Sequence, residues 1–127
     1  MLLEERTIYE HAISRWGAEL QTVKACEELA ELIRALSRVT LAAKTAAPGI
    51  EYNAAWDNVL EELADVEIML AQLRMIFDDK DVDRIRAGKL RRLAGILGMT
   101  EIKPPARPPM DAAEHPEDWS GQLGGED

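Results

Sequence analysis

The chain has 127 residues, 46% of them apolar, and a formal net charge of −9, which fits one modest globular domain and argues against general nucleic-acid binding, which needs a basic face. Its single cysteine, Cys26, excludes an intrachain disulfide and any cysteine-based zinc site. No apolar run approaches membrane-spanning length, and residues 2–19 carry charges throughout instead of a signal-peptide pattern, so a cytoplasmic protein without membrane contact is expected.

Ala, Leu, Glu and Arg dominate the first hundred positions, and the expected fold is all-α, a four-helix-bundle-like subunit. Periodicity predicts a first helix over about residues 4–15 that loosens at Gly17. A second runs over about 18–46, where Pro48-Gly49 stops it. A third covers about 53–77, with Asp78-Asp79 in the following turn. The fourth covers about 81–97, with Gly98 as its C-terminal cap. These elements make a helical domain over residues 1–102. From 103 to 127 the composition changes to an acidic tail with five of the six prolines (Pro104, Pro105, Pro108, Pro109 and Pro116). Such a segment buries too little apolar surface to offset its ordering entropy, so a disordered or extended arm is expected. Trp119 is its one docking candidate, and His115 reads as solvated.

The chemistry-bearing residues lie on three of the helices. Glu27-Glu28-Leu29-Ala30-Glu31 and Glu61-Glu62-Leu63-Ala64-Asp65 each contain carboxylates at i, i+3, which share one helical surface. On the third helix Val59, Val66, Met69, Leu70 and Leu73 surround Glu62, Asp65 lies at the edge of that arc, and Glu61 and Glu67 point away. On the second, Ala25, Leu29, Leu32, Ile33 and Leu36 form the apolar arc, with Glu28 at its border and Glu31 and Lys24 outside it. Taken alone, Glu-Glu-x-x-Glu is a solvated charge run. An inward Glu62 is different, because a carboxylate in an apolar stripe is costly unless a cation meets it. The two motifs together predict a metal site made by Glu28, Glu31, Glu62 and Asp65. A set of carboxylates without histidine or thiolate suits Mg²⁺ or Mn²⁺ and disfavours zinc.

The fourth helix supplies the complementary charge. Lys89 falls inside a stripe of Val82, Ile85, Leu93 and Ile96, Arg92 borders it and Arg91 faces water. Lys89 reads either as a snorkelling structural lysine or as a cation for an anionic ligand. Residues 80–92 hold six basic and two acidic side chains, so a phosphate can be attracted locally despite the acidic whole. A metal beside these cations suits a polyphosphate ester, and Glu27 is placed to take a proton from water as general base.

Glu27-Glu28-x-x-Glu31 followed by Glu62-x-x-Asp65, with Trp16-Gly17-x-x-x-Gln21 ahead of them, resembles the signature of the MazG-type all-α nucleoside triphosphate pyrophosphohydrolases over about residues 10–97. The resemblance implies a homodimer or homotetramer that hydrolyses a (deoxy)nucleoside triphosphate to the monophosphate and pyrophosphate. It implies Glu28, Glu31, Glu62 and Asp65 as Mg²⁺ ligands, with Glu28 and Glu62 central to catalysis and Glu27 orienting or activating water. Lys24, Lys89 and Arg92 match phosphate-contacting positions. Trp16 and Gln21 fall on the nucleobase side, although Trp16 reads equally as a core tryptophan. Two departures stand out: Asn58 occupies a substrate-contacting position where many relatives carry a basic residue, and the stretch from Glu31 to Glu62 is long, which predicts an extended hairpin around Pro48-Gly49. The alternatives are a phosphoribosyl-ATP pyrophosphohydrolase of the same superfamily and a non-catalytic helical interaction module. A buried Glu62 speaks against the latter.

Overall fold

The computed structural model describes residues 1–99, and the proline-rich tail with His115 and Trp119 lies outside the described residues. The described chain is all-α, with four helices and no strand: α1 (Leu3–Trp16), α2 (Ala18–Lys44), α3 (Gly49–Ile76) and α4 (Asp79–Ile96). No helix among the described residues is long and apolar enough to cross a membrane.

Local chemistry accounts for the breaks. Gly17 separates α1 from α2 at φ 88°, a conformation that side chains resist. Its N–H still donates to the Ile13 carbonyl at 2.8 Å, and its own carbonyl accepts from the Gln21 N–H at 3.1 Å, so α2 begins without losing a turn. The end of α2 is a Schellman turn. The Ala47 N–H donates to the Ala42 carbonyl (3.0 Å) and the Ala46 N–H to the Ala43 carbonyl (3.4 Å), while Ala46 takes φ 49° in the position where glycine is usual. Gly98 has that role after α4, at φ 70°, with Met99 N–H donating to the Ala94 carbonyl. Asp78 caps α4, its carboxylate accepting from the Asp81 N–H at 3.1 Å.

The hairpin around Pro48-Gly49 is lengthened in its helices and not in its loop. The connection is the four residues 45–48, and the extra length goes into the helices, with α3 beginning at Gly49 and not near residue 53. Pro48 supplies no N–H but fixes φ near the helical value at the N-cap, so it starts α3 as well as stopping α2.

The centre of the fold is the antiparallel pairing of α2 with α3. Along α2 the buried or half-buried positions are Gln21, Ala25, Glu28, Leu32, Ala35 and Val39, and along α3 they include Tyr52, Val59, Glu62, Val66, Met69 and Leu73. Both series alternate steps that sum to seven, the spacing that keeps a seam facing its partner over many turns. Ala35, Val39, Tyr52 and Val59 form the main apolar cluster, with Trp56 beside it stacked on Tyr52 at 6.5 Å. The α2 seam thus differs from the predicted arc. Ala25 is buried, but Leu29, Ile33 and Leu36 are 38%, 66% and 39% exposed, and Glu28 lies in the seam, not at its border. Alanines at the contact let the two backbones approach closely, and the larger side chains are turned outward.

Helix α4 is the least integrated element. Among the described residues, side-chain bonds join it to α3 only at its start, where the Arg74 guanidinium donates to Asp79 (2.6 Å) and pairs with Asp83. The carboxylates hold the guanidinium charged, pushing its pKa upward. The stripe of Val82, Ile85, Leu93 and Ile96 predicted for α4 is present, but it is not a core face: Ile85, Leu93 and Ile96 are exposed.

Candidate metal centre

The pairing of α2 with α3 brings their acidic motifs together. Glu28, Glu62 and Asp65 each offer a carboxylate oxygen, and the three oxygens lie within 4.8 Å of one another. Oxygens on opposite sides of a six-coordinate magnesium stand about 4 Å apart, so the spacing is close to that of groups sharing one cation.

Burial separates the members. Glu28 is 8% exposed, Glu62 is half-buried, and Asp65 and Glu31 face solvent. One oxygen of Glu28 is engaged, accepting from the Lys24 Nζ at 2.9 Å. That bond, set against the cost of burial, holds the Glu28 carboxyl below the usual carboxylate range and pushes the Lys24 ammonium upward. The other oxygen, Oε2, is buried without a hydrogen-bond donor, and so is Oε2 of Glu62. Two desolvated carboxylate oxygens at one place, both lacking a donor, form an electrostatic deficit that a cation relieves.

Glu31, the fourth predicted ligand, lies at the rim of the other three. Its carboxyl is pushed up first by the hydrogen-bonding and charge of Glu28 and then by the charge of Glu62, the signature of carboxylates crowded together. Glu61 and Glu67 are exposed, as helical phase predicts. Glu27 is exposed on α2, its carboxylate 3.6 Å from the Lys24 Nζ.

A groove of about 430 Å³ lies beside the cluster, lined by Lys24, whose ammonium pairs with Glu28, and by Glu27. Trp16, Leu20, Gln21, Met69 and Gln72 provide its other walls. Trp16 is 54% exposed and so is no core residue. Gln21 is buried, its amide donating to the Gln72 Oε1 at 2.6 Å, and the Gln72 amide rests on the Met69 sulfur at 3.8 Å. Met69 and Gln72 as groove residues escaped the sequence reading. The available signal was register: the antiparallel pairing that sets Glu28 against Asp65 sets Gln21 against Gln72 seven residues further along each helix.

Three predicted substrate residues lie elsewhere. Asn58 is half-buried on α3, one turn before Glu62. Lys89 lines a trough on α4 that none of the cluster carboxylates borders. Among the described residues neither Lys89 nor Arg92 forms an ion pair. Among the described residues, therefore, the cation paired with the cluster is Lys24, through Glu28.

Comparison with known proteins adds no constraint: no family profile, no curated protein and no solved structure matches the chain.

Proposed function

We propose that this protein is a Mg²⁺-dependent nucleoside triphosphate pyrophosphohydrolase of the MazG-like type, acting in the cytoplasm as a homo-oligomer on the nucleotide pool. The observation that carries it is the pair of donorless buried oxygens, Glu28 Oε2 and Glu62 Oε2, within a cluster completed by Asp65. Glu28, Glu62 and Asp65 hold the metal, with Glu31 closing the rim. Mn²⁺ suits the same donors. When bound, the ion neutralises phosphate charge and makes a coordinated water more acidic.

The chain's own residues supply the remaining work. Lys24 bridges cluster and groove, so its ammonium can turn from Glu28 to a phosphate oxygen. The Glu27 carboxylate, on the groove side, accepts the proton of the attacking water. Trp16 offers an aromatic face, and the Gln21–Gln72 amides offer hydrogen-bonding groups, to a planar base in the groove.

Thermal melts at fixed ionic strength with and without MgCl₂ test the metal. At a metal concentration about a hundredfold above Kd, linkage gives roughly 2.7 kcal/mol, a rise in Tm on the order of 10 °C for a domain of this size. No metal-specific shift refutes the site. For the reaction, Glu62→Gln is expected to lower pyrophosphate release on the order of 10³-fold with the helical circular dichroism unchanged. Wild-type turnover in that variant removes Glu62 from the mechanism. A panel of NTPs and dNTPs, with products resolved by chromatography, identifies the base and sugar.

A further inference from the structure

Helix α4 is 18 residues long and is bonded to α3 at its first turn through Arg74. A trough of about 400 Å³ runs along it, lined by Val82, Ile85, Arg86, Lys89, Leu90 and Leu93. Every one of these residues belongs to α4, so no other described residue roofs the trough, and Ile85 and Leu93 are exposed. A helix of this length is marginal in water without an apolar face to pack.

Charge defines what can cover the trough. The aspartates of α4 stand at its start and are engaged, Asp79 and Asp83 by Arg74 and Asp81 by Arg84 at 3.3 Å. Beyond them Arg86, Lys89, Arg91 and Arg92 form no ion pair among the described residues. Lys89 lies within the apolar stripe, where an ammonium is costly unless an anion meets it. The cover must therefore be apolar and anionic together. The sequence that follows α4 has that composition. Residues 108–127 contain Asp111, Glu114, Glu117, Asp118, Glu126 and Asp127, no lysine or arginine, and Trp119 directly after Glu117-Asp118. Lys103 and Arg107 precede this stretch, among Pro104, Pro105, Pro108 and Pro109. Prolines cannot continue α4, and they favour the extended polyproline conformation, in which residues 104–109 span about 19 Å. From Ile85 to Ile96 α4 rises about 17 Å, so such a spacer carries the chain back along the trough. The tether also sets an effective concentration on the order of millimolar, which favours the chain's own segment over one from another molecule.

We propose that residues 111–119 fold back on α4 of the same chain, with Trp119 entering the apolar trough and the carboxylates of Asp111, Glu114, Glu117 and Asp118 meeting Arg86, Lys89 and Arg92. Helix α4 then packs its apolar stripe within its own chain, and the unpaired cations of its second half are neutralised there. Neither metal nor nucleotide takes part, so the docking stands or falls independently of the pyrophosphohydrolase reading.

The test is NMR on the 127-residue chain, labelled with ¹⁵N and ¹³C, in metal-free buffer at low salt. The indole N–H of Trp119, assigned by its loss in Trp119→Phe, is expected to resonate away from its position in denaturing urea and to show NOEs to the methyl groups of Ile85 and Leu93. Leu93→Glu, at an exposed position, should abolish those NOEs and return the indole to its denatured position while the helical circular dichroism is unchanged. Trp119→Ala lies outside the four helices and so supplies the converse check. It should shift the methyl resonances of Ile85 and Leu93 and leave those of Val39 and Val59, in the α2–α3 seam, where they are. An indole at its denatured position in the native protein, or one indifferent to Leu93→Glu, overturns the proposal. NOEs from Trp119 to Leu29 or Ile33 place the segment on α2 and overturn it too. In an equal mixture of ¹³C-labelled and unlabelled chains, allowed to exchange, isotope-filtered NOEs between Trp119 of one copy and Leu93 of another are expected to be absent. Their presence assigns the trough to a neighbour's segment and overturns docking within the chain.

Discussion

Glu28 and Glu31 illustrate how one helical turn gives two carboxylates opposite electrostatic surroundings. The Glu28 carboxyl is held low by Lys24, so it contributes stability above the ordinary carboxylate range that is lost as pH falls through its depressed folded value. Glu31 is pushed up by Glu28 and Glu62. Its ionised form therefore weakens the fold, and that cost is relieved as pH falls from its raised folded value through the ordinary range. A pH sweep of the metal-free protein superimposes the two effects with opposite sign, and substitution separates them. Glu31→Gln is expected to raise the Tm of the metal-free protein, by removing charge from beside Glu28 and Glu62, and to shrink the rise that MgCl₂ produces. Glu61→Gln, on the outer face, should change neither. Paired melts of both variants with and without MgCl₂ check this, and a lower metal-free Tm for Glu31→Gln shows that the crowding is not a cost. Glu62 was legible in the sequence because Val59, Val66 and Met69 surround it in helical phase. The burial of Glu28 was not, because the α2 seam it lies in is marked by Ala25 and Ala35, which periodicity weighs lightly beside Leu29 and Ile33.

Among the elements, α2 carries two apolar faces, and a single sequence does not say which one its own chain covers. The close-packed seam of Ala25, Ala35 and Val39 is inward and the Leu29/Ile33/Leu36 face outward, since small residues let long helices approach along many turns. Ala35 is fully buried, so Ala35→Leu forces the backbones apart and is expected to cost about 1–3 kcal/mol in denaturant unfolding. The helix ends were legible wherever glycine or a capping carboxylate marked them, as at Gly17, Asp78 and Gly98. The end of α2 before Pro48 was legible to within two residues, but its left-handed turn was not, because alanine and not glycine occupies position 46. Ala46→Gly tests that assignment. Relief of the left-handed conformation, about 1–2 kcal/mol, is offset in part by the greater freedom of glycine in the unfolded chain. The net expectation is a stabilisation of roughly 0.5 kcal/mol, read as a higher denaturation midpoint at unchanged slope. A destabilised Ala46→Gly places the turn in another conformation.

At the scale of the whole molecule, the uneven charge makes assembly sensitive to salt in a way that identifies its cause. The chain has a net charge of −9 with five cations and no anions in residues 84–92, so two copies repel overall, and a contact that set α4 of one on the acidic α2–α3 hairpin of the other would attract. Apolar burial at that contact resists salt, whereas the attraction is screened over about 10 Å at 0.1 M ionic strength. A homo-oligomer held by α4 on the hairpin should therefore dissociate as NaCl rises, with Kd increasing on the order of tenfold between roughly 0.05 and 0.5 M. An oligomer held by two α4 helices laid parallel should do the reverse, because like-charged halves then face each other and salt screens their repulsion. Sedimentation velocity across a NaCl series distinguishes the two by the sign of the change. Arg92→Glu supplies the internal control: it should weaken the complementary contact at low salt by more than at high salt, and it should strengthen a like-charged one.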